Sequence, residues 1–143
     1  MRRRTLVLIG AGSAVFTRGL AADLIMEGSP WDLRLVDVSE KNLAVAYGLV
    51  RRMIDARKAD ITLSRTLDRR RALPGADAVV TTIAVGGRRA WEKDVLIPRK
   101  YGIFQPVGDT IMPGGISRVL RMVPPLVDIA RDVKKYAGRA RFF

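Results

Sequence analysis

The 143-residue chain contains no cysteine and no histidine. Without cysteine it can form neither a disulfide nor a thiolate metal site, which fits a reducing compartment, and we expect a cytoplasmic protein. Without histidine it lacks the commonest general base and the commonest metal ligand. Acid–base or metal chemistry within these residues must therefore come from carboxylates, lysine or tyrosine.

Long apolar runs are also missing, because no stretch approaches the ~20 apolar residues of a membrane span. Arg2, Arg3 and Arg4 precede an apolar segment, which is the outline of a signal peptide. The glycine-rich residues 10–13 interrupt that segment, however, and cleavage after it would remove the first strand of a βαβ unit. We therefore expect no association with a membrane.

Acidic residues are scarce beside basic ones: 14 Asp and Glu stand against 26 Lys and Arg, for a net charge of +12. Such a balance raises the question of a nucleic-acid partner. Most basic residues are scattered along predicted helix faces, and no motif interleaves them with aromatic residues. We predict a solvated basic surface and no nucleic-acid partner.

The residues that are present are organised around a predicted strand–turn–helix unit, residues 5–24, TLVLIGAGSAVFTRGLAADL. The apolar run at 6–9 is typical of a strand buried on both faces. Gly10 and Gly12 form a G-x-G turn that lets a pyrophosphate approach the backbone. Ser13 is a predicted cap for the next helix, whose free N–H groups would face that pyrophosphate. We predict a dinucleotide site that includes Ala14 and Val15; Val15 replaces the third glycine of the fingerprint and would set the helix slightly off the strand.

A carboxylate follows the second apolar run at the distance expected of a ribose-binding residue. That run, residues 33–36, is followed by Asp37, which lies 22 residues beyond position 15, where the third glycine of the fingerprint would fall. An acidic residue there accepts hydrogen bonds from the ribose hydroxyls and repels a 2′-phosphate, which favours NAD over NADP. The alternative is an ordinary turn or N-cap aspartate before Ser39.

Strand and helix patterns continue to alternate along the chain, which predicts an α/β fold: a Rossmann-type doubly wound parallel sheet of about five strands with helices on both faces. The fourth strand should end at Val85, directly before a second glycine turn at Gly86. Parallel strands bind ligands beyond their carboxyl ends, so we expect Val85 and Gly86 to contact the cofactor as well; a plain strand-ending turn is the alternative. The patterns predict strands at 61–66, 78–85 and from 140, helices at 39–56, 67–73, 88–101 and 116–136, a loop at 103–115, and a kink or restart of the last helix at Pro124 and Pro125.

Several blocks of sequence together resemble the N-terminal domain of family 4 glycoside hydrolases, the NAD- and metal-dependent glycosidases. The blocks are GAGSAVF, LVD, PGADAVV, AVGG, IPRKYG and GDTIMPGGISRVLR, and they cover essentially all 143 residues in the family's order. The resemblance implies an enzyme that cleaves O-glycosides by transient hydride abstraction at C3 of the sugar followed by elimination, an exception to the two-carboxylate scheme. NAD and a divalent metal, Mn²⁺, would be its cofactors, and a small-molecule glycoside its substrate.

The same resemblance assigns further residues. Asp109 matches an acidic position in the family's active-site loop, where it would contact the substrate or a water on the metal; a turn residue is the alternative. The phospho-glycosidase branch carries an arginine at the position of Trp91, so an unphosphorylated glycoside is implied here. The family usually has glycine at the position of Met112. Full-length members can form homo-oligomers.

The family's next block, Asn-x-x-Asn-Pro, would begin after Phe143, and its metal-binding cysteine and histidine and its tyrosine base lie further on. We therefore expect residues 1–143 to be a dinucleotide-binding domain truncated at the fifth strand, without the C-terminal catalytic and metal domain, and inactive by itself. Two other functions stay open from the sequence: an NAD-dependent dehydrogenase of the malate or lactate type, and a non-catalytic NAD-binding module.

Overall fold

The computed structural model describes residues 2–107 and 111–143. The chain divides into two compact units. Unit 1 comprises Met1–Ile83 and Arg131–Phe143, and unit 2 comprises Ala84–Ala130.

Unit 1 contains a five-stranded parallel sheet in the order β3-β2-β1-β4-β5. Because β2 and β4 flank β1 on opposite sides, the strand order reverses at β1, and parallel α/β sheets bind ligands beside such a reversal. The predicted fold class is confirmed. The strands are β1 (Arg4–Ile9), β2 (Trp31–Val36), β3 (Ile61–Thr66), β4 (Ala78–Thr81) and β5 (Arg141–Phe142).

Five helices accompany the strands: α1 (Ala14–Glu27), α2 (Glu40–Arg57), α3 (Arg69–Ala72), α4 (Gly87–Arg99) and α5 (Met112–Tyr136). The Ser39 hydroxyl caps α2 by accepting the N–H of Asn42. The buried face of α2 recurs with the helical period and includes Leu43, Ala46, Val50 and Ile54.

The main core lies between one face of the sheet and helices α1 and α2. Leu8, Leu33 and Leu35 of the strands pack there with Leu43 and Val50 of α2. On β2 the side chain of Arg34 points to the opposite face, where its guanidinium donates to the carbonyls of Ala72 and Pro74 at the end of α3. The sheet is therefore covered by helices on both faces.

Strand β4 is shorter than predicted, because it ends at Thr81 and not at Val85. Its neighbour β1 ends at Ile9 and turns away at Gly10, whose φ of 94° is a left-handed conformation. One further ladder bond, from the N–H of Thr82 to the carbonyl of Ile9, closes the pairing. The pairing of β4 with β1 therefore ends where β1 turns away.

Helix α5 also differs from the prediction. It begins at Met112, so the loop predicted at 103–115 is shorter at its end, and it runs through Pro124 and Pro125 without a restart. The fixed φ of proline is a helical value, so two prolines cost hydrogen bonds and crowd the preceding turn without forcing the chain out of the helix. Met112 itself has a φ of 65°, the left-handed conformation that favours the glycine usual in the family.

Candidate functional site

The glycine turn lies at the carboxyl end of β1, where its backbone bonds to β2 and lies against the chain that follows β4. The N–H groups of Gly10 and Ala11 both donate to the carbonyl of Val36, at 2.8 and 3.0 Å. A Cβ atom on Gly10 would lie 2.8 Å from the backbone nitrogen of Ile83. Gly10 is therefore required by the packing of unit 1 itself, independently of any ligand.

Asp37 follows β2, and its carboxylate binds the glycine turn directly. Oδ2 accepts the N–H of Gly12 at 2.8 Å, and Oδ1 accepts the N–H of Ser39 at 2.8 Å. The structure thus brings the two predicted halves of the site together. The turn-type contact of the alternative interpretation, with Ser39, is present too. A carboxylate has about four acceptor positions, so these two bonds leave lone pairs for ribose hydroxyls.

The tight approach of Asp37 explains why position 12 holds glycine. A Cβ atom there would lie 2.8 Å from the Asp37 carboxylate and 2.8 Å from the Cβ of Asn42. The sequence analysis assigned this space to a pyrophosphate. In the structure, protein atoms already fill it.

Helix α1 begins beside the turn and leaves its amino end uncapped by side chains. Ser13 occupies the N-cap position but its hydroxyl makes no cap hydrogen bond, which corrects the predicted capping role. The nearby Thr17 hydroxyl donates instead to the carbonyl of Ala11, at 2.7 Å. No acidic residue lies in the first turn to offset the positive end of the helix dipole. This end of α1 therefore suits an anion.

The first two residues of α1 are Ala14 and Val15, both predicted to bind the cofactor. Val15 is 73% exposed and therefore does not lie between helix and sheet. The expectation that its bulk displaces α1 from β1 is wrong, because the side chain points into solvent. The buried positions of this helix are filled by Thr17, Ala21 and Leu24.

Val85 and Gly86 belong to unit 2, where α5 holds their backbone. The N–H of Val85 donates to Sδ of Met122 at 3.3 Å, and its carbonyl accepts Nε of Arg121 at 2.9 Å. Gly86 is the N-cap of α4 with a φ of 79°, and a Cβ there would lie 2.5 Å from the Cβ of Ala90. The turn is thus tightly defined within unit 2.

Arg121, which binds the Val85 carbonyl, also belongs to a buried ion pair that the sequence did not predict. Asp94, whose side chain is 1% exposed, accepts Nη2 of Arg121 at 2.6 Å, Nη1 at 3.1 Å and the hydroxyl of Ser117 at 2.7 Å. The Arg121 hydrogen bonds hold the pKa of Asp94 below its usual range although burial opposes this, and the same bonds raise the pKa of Arg121. No local pattern marks the pair, because its members lie 27 residues apart.

Gln105 extends this network toward the loop before α5. Its Nε2 donates to the backbone carbonyl of Asp94 at 3.2 Å, and its Oε1 accepts the N–H of Gly114 at 3.4 Å. Asp109 lies outside the described residues, so its predicted role stays a prediction.

One cleft lies at the opposite edge of the sheet from the glycine turn. It has a volume of about 500 Å³ and is lined by Arg2, Arg4, Glu27, Ser29 and Asp77. Arg2 pairs with Asp77, and Arg4 pairs with Glu27 at 2.8 Å. Its charges neutralise one another at the amino ends of the strands, and parallel sheets bind ligands at the carboxyl ends, so we place no site there.

Within residues 2–107 and 111–143, no group of three or more carboxylate, histidine or cysteine side chains is arranged to hold a metal ion. Over the same residues, no helix has the length and apolar character needed to cross a membrane.

Comparison with known proteins identifies relatives of this chain. An alpha-galactosidase of Rhizobium meliloti (strain 1021) is 38% identical over 134 residues, which are 92% of this chain and 27% of the relative. An alpha-glucosidase of Erwinia rhapontici is 37% identical over 141 residues, which are 96% of this chain and 31% of the relative. The chain thus spans less than a third of the length of these relatives.

Solved structures of glycosidases are also similar to this chain. A 6-phospho-beta glucosidase from Thermotoga maritima, crystallised with manganese, NAD⁺ and glucose-6-phosphate, superposes with a TM-score of 0.84 at 25% identity, covering 96% of this chain and 33% of that one. A malate dehydrogenase from Cryptosporidium parvum reaches a TM-score of 0.65 at 15% identity, over 99% of this chain and 37% of that one, which shows a shared fold alone. The glycosidase interpretation is therefore favoured over the dehydrogenase.

The family described as "Family 4 glycosyl hydrolase" matches residues 5–143. This match covers every block of sequence on which the resemblance was based, and it includes the glycine turn, Asp37 and the turn at Gly86. The chain belongs to glycosyl hydrolase family 4.

Proposed function

We propose that this chain is the dinucleotide-binding part of an NAD- and divalent-metal-dependent glycosidase that cleaves O-glycosides. The observation that carries the proposal is the 2.8 Å hydrogen bond between Asp37 and the N–H of Gly12. It joins a carboxylate after β2 to the turn after β1, at the edge of the sheet where dinucleotides bind.

Each proposed contact has a physical basis in the residues of its own unit. In unit 1, Ser13, Ala14 and Val15 would hold the pyrophosphate, because the amino end of α1 is uncapped and without acidic residues in its first turn. Gly10 and Gly12 would form the turn beside it. Asp37 would accept the ribose hydroxyls of the adenosine half with its free lone pairs. In unit 2, Val85 and Gly86 would contact the nicotinamide half, since they follow β4 in the chain.

When bound, NAD supplies a hydride acceptor for C3 of the sugar, and orienting it is the task of these residues. The resemblance to the family assigns Asp109 a contact with the sugar. It assigns the metal ligands and the base to residues beyond Phe143. We accordingly propose that residues 1–143 form a dinucleotide-binding domain, and that the catalytic and metal-binding domain belongs to the parent protein.

An unphosphorylated α-glycoside is the proposed substrate class of the parent enzyme. Two of the relatives are named an alpha-galactosidase and an alpha-glucosidase. The arginine of the phospho-glycosidase branch is replaced here by Trp91, an exposed residue of α4 with no charge to hold a phosphate. A cytoplasmic location and a homo-oligomeric parent are proposed on the resemblance alone.

The test of the proposed function is calorimetric titration of the chain with NAD⁺ and with NADP⁺. We expect tighter binding of NAD⁺, because the 2′-phosphate of NADP⁺ would meet the Asp37 carboxylate. Asp37→Ala should weaken NAD⁺ binding by about 1–3 kcal/mol through the loss of charged hydrogen bonds. Asp55→Ala, which removes a carboxylate from an exposed pair with Arg51 on α2, is the matched control and should leave binding unchanged. Equal affinity of the unsubstituted chain for the two cofactors would refute the assignment of Asp37.

A further inference from the structure

Both backbone polar groups of Val85 are held by consecutive residues of α5. Nε of Arg121 donates to the Val85 carbonyl, and Sδ of Met122 accepts the Val85 N–H. The next residue, Gly86, is in a left-handed conformation and begins the turn into α4. The backbone N–H and carbonyl of Val85 are therefore both fixed by α5, directly before the turn.

The side chain of Arg121 is in turn fixed by a buried partner. Its two terminal nitrogens form a bidentate pair with Asp94, and Ser117, one helical turn before Arg121 on α5, donates a third hydrogen bond to the same carboxylate. Bidentate arginine–carboxylate pairs are rigid in geometry as well as strong. While both terminal nitrogens bind Asp94, Nε donates separately to the Val85 carbonyl, at 2.9 Å.

We propose that Arg121 is a positioning residue for the cofactor, which holds the Val85–Gly86 backbone in the conformation that receives the nicotinamide half of NAD. This inference rests on the proposed function. It assigns Arg121 no contact with NAD or with the sugar. Its effect is to form the binding conformation before the ligand arrives, which removes an ordering cost from binding.

A lysine at position 121 separates this role from a purely structural one. Lysine keeps the positive charge beside Asp94 but has no second, fixed donor at the place of Nε, so the bond to the Val85 carbonyl is lost. We expect Arg121→Lys to fold with a lowered melting temperature, because lysine cannot form the bidentate pair with Asp94, and we measure binding at a temperature where the variant is folded. We expect its affinity for NAD⁺ to fall about tenfold, the factor for one hydrogen bond from a charged donor.

The second ligand in the experiment is ADP, which carries the adenosine and pyrophosphate but no nicotinamide. In a doubly wound sheet the two halves of a dinucleotide bind on the two sides of the strand reversal. ADP affinity should therefore be unchanged in Arg121→Lys. Arg99→Met, which removes an arginine from the last turn of α4, is the control in the same unit and should bind both ligands normally.

Three outcomes would overturn the proposal. Unchanged NAD⁺ affinity in folded Arg121→Lys would show that the hydrogen bond from Arg121 to the Val85 carbonyl has no effect on binding. An equal loss of NAD⁺ and ADP affinity would show a general structural role. Failure of the unsubstituted chain to bind either ligand would refute the proposed function and this inference with it.

A second variant keeps the test informative if Arg121→Lys does not fold. The double substitution Asp94→Asn with Arg121→Gln replaces the ion pair by neutral amides, so no buried charge is left without a partner. It also removes the bond to Val85. We expect the same selective loss of NAD⁺ affinity, and normal NAD⁺ binding by this folded variant would contradict the proposal.

Discussion

At the scale of single residues, the glycines of the turn are explained first by protein atoms. Gly10 lies against the backbone of Ile83, and Gly12 lies against Asp37 and Asn42. A glycine fingerprint is commonly interpreted as space left for a pyrophosphate. Here the same glycines allow the Asp37 carboxylate and the chain that follows β4 to approach the turn, which gives these glycines a structural role before any cofactor binds.

This packing predicts the effect of adding one methyl group at position 12. Gly12→Ala should destabilise the chain by about 1–3 kcal/mol, since the Cβ atom would overlap Asp37 and Asn42, and should weaken NAD⁺ binding through the displaced carboxylate. The matched control is Gly48→Ala in the middle of α2, where a Cβ atom meets nothing within 4 Å. That variant should be stabilised by about 0.5–1 kcal/mol.

Urea unfolding of both variants, with NAD⁺ titration, measures the two effects. Equal stability of Gly12→Ala and Gly48→Ala would show that the contacts around position 12 are not tight.

Glu27 lies in the cleft at the amino ends of the strands, and it provides a test of how the stability of the chain depends on pH. Hydrogen bonds from the Trp31 indole, from Ser29 and from the Arg4 guanidinium lower the pKa of Glu27 from 4.5 to about 2. A carboxyl group whose pKa is lower in the folded state stabilises the fold when ionised. Its contribution is fully present above about pH 4.5 and is lost as the pH falls toward 2.

Comparison with Glu27→Gln isolates this contribution. The difference in free energy of unfolding between the unsubstituted chain and the variant should be constant near pH 6 and should shrink as the pH is lowered toward about 3. Urea titrations followed by tryptophan fluorescence provide the measurement. Glu92→Gln, which removes a carboxylate from the exposed pair with Arg88, controls for the loss of a surface charge. A difference that does not change with pH would contradict the assignment.

At the scale of elements, one ion pair connects α3 with the last turns of α5 inside unit 1. Nε of Arg69 lies 2.6 Å from Oδ2 of Asp132, whose side chain is 12% exposed, and Arg70 reaches the same oxygen at 3.5 Å. Burial tends to raise the pKa of Asp132, but the hydrogen bond and charge of Arg69 outweigh it, so the pKa lies below its usual range. Part of the basic cluster at 69–71 is therefore engaged within the protein.

The two neighbouring arginines form a natural matched pair for testing this connection. Arg69→Met should destabilise the chain by about 1–3 kcal/mol, because Asp132 loses its shortest bond while staying largely buried. Arg70→Met should cost under about 1 kcal/mol, since Arg70 is 60% exposed and its contact is long. Thermal unfolding of the two variants decides the matter, and equal losses would mean that the short contact contributes no more than the long one.

Helix α5 carries a long apolar face that is exposed in this chain. Ile116, Leu120, Val123 and Val127 recur at helical spacing, and each is between 40% and 73% exposed. Exposed apolar stripes of this kind promote association in solution. Binding experiments on the isolated chain therefore require a check of its size in solution.

At the scale of the whole molecule, the chain spans less than a third of the relatives named above while matching the family over residues 5–143. Among the described residues no carboxylate cluster is arranged for a metal. General-base chemistry at a sugar needs a positioned proton acceptor, and the family's base and metal ligands are assigned beyond this chain. Binding of NAD and hydrolysis of a glycoside are therefore two separate proposals, which different measurements test.

We predict that the chain binds NAD⁺ but hydrolyses no glycoside by itself. The assay contains purified chain, NAD⁺, Mn²⁺, a thiol and nitrophenyl α-glycosides, with the full-length parent enzyme as positive control. Turnover that survives purification and disappears in Asp109→Asn would show that a complete active site exists within these residues, and would refute the assignment of catalysis to the rest of the parent.

Much of the fold followed from the sequence by itself. The strands at 61–66 and near the end of the chain, the helix after Ser39 and the spacing from the glycine turn to Asp37 were all predicted, because hydrophobic period, capping residues and turn glycines act over a few neighbouring residues. The same local patterns placed the end of β4 too late and predicted a kink or restart at Pro124 and Pro125, where α5 continues without a restart. Where a strand ends depends on its neighbour in the sheet, and proline, whose fixed φ is a helical value, can stand inside a helix.

Only the tertiary structure decided which atoms surround the predicted site. The contact of Asp37 with Gly12, the overlap that excludes a side chain at Gly10, and the pairing of Asp94 with Arg121 all join residues that are distant in sequence. Sequence periodicity carries no information about such pairs, because their distances are set by the sum of the intervening turns and packing. For this protein the sequence therefore determined the elements and the family, and the folded chain determined which side chains hold the turns in place.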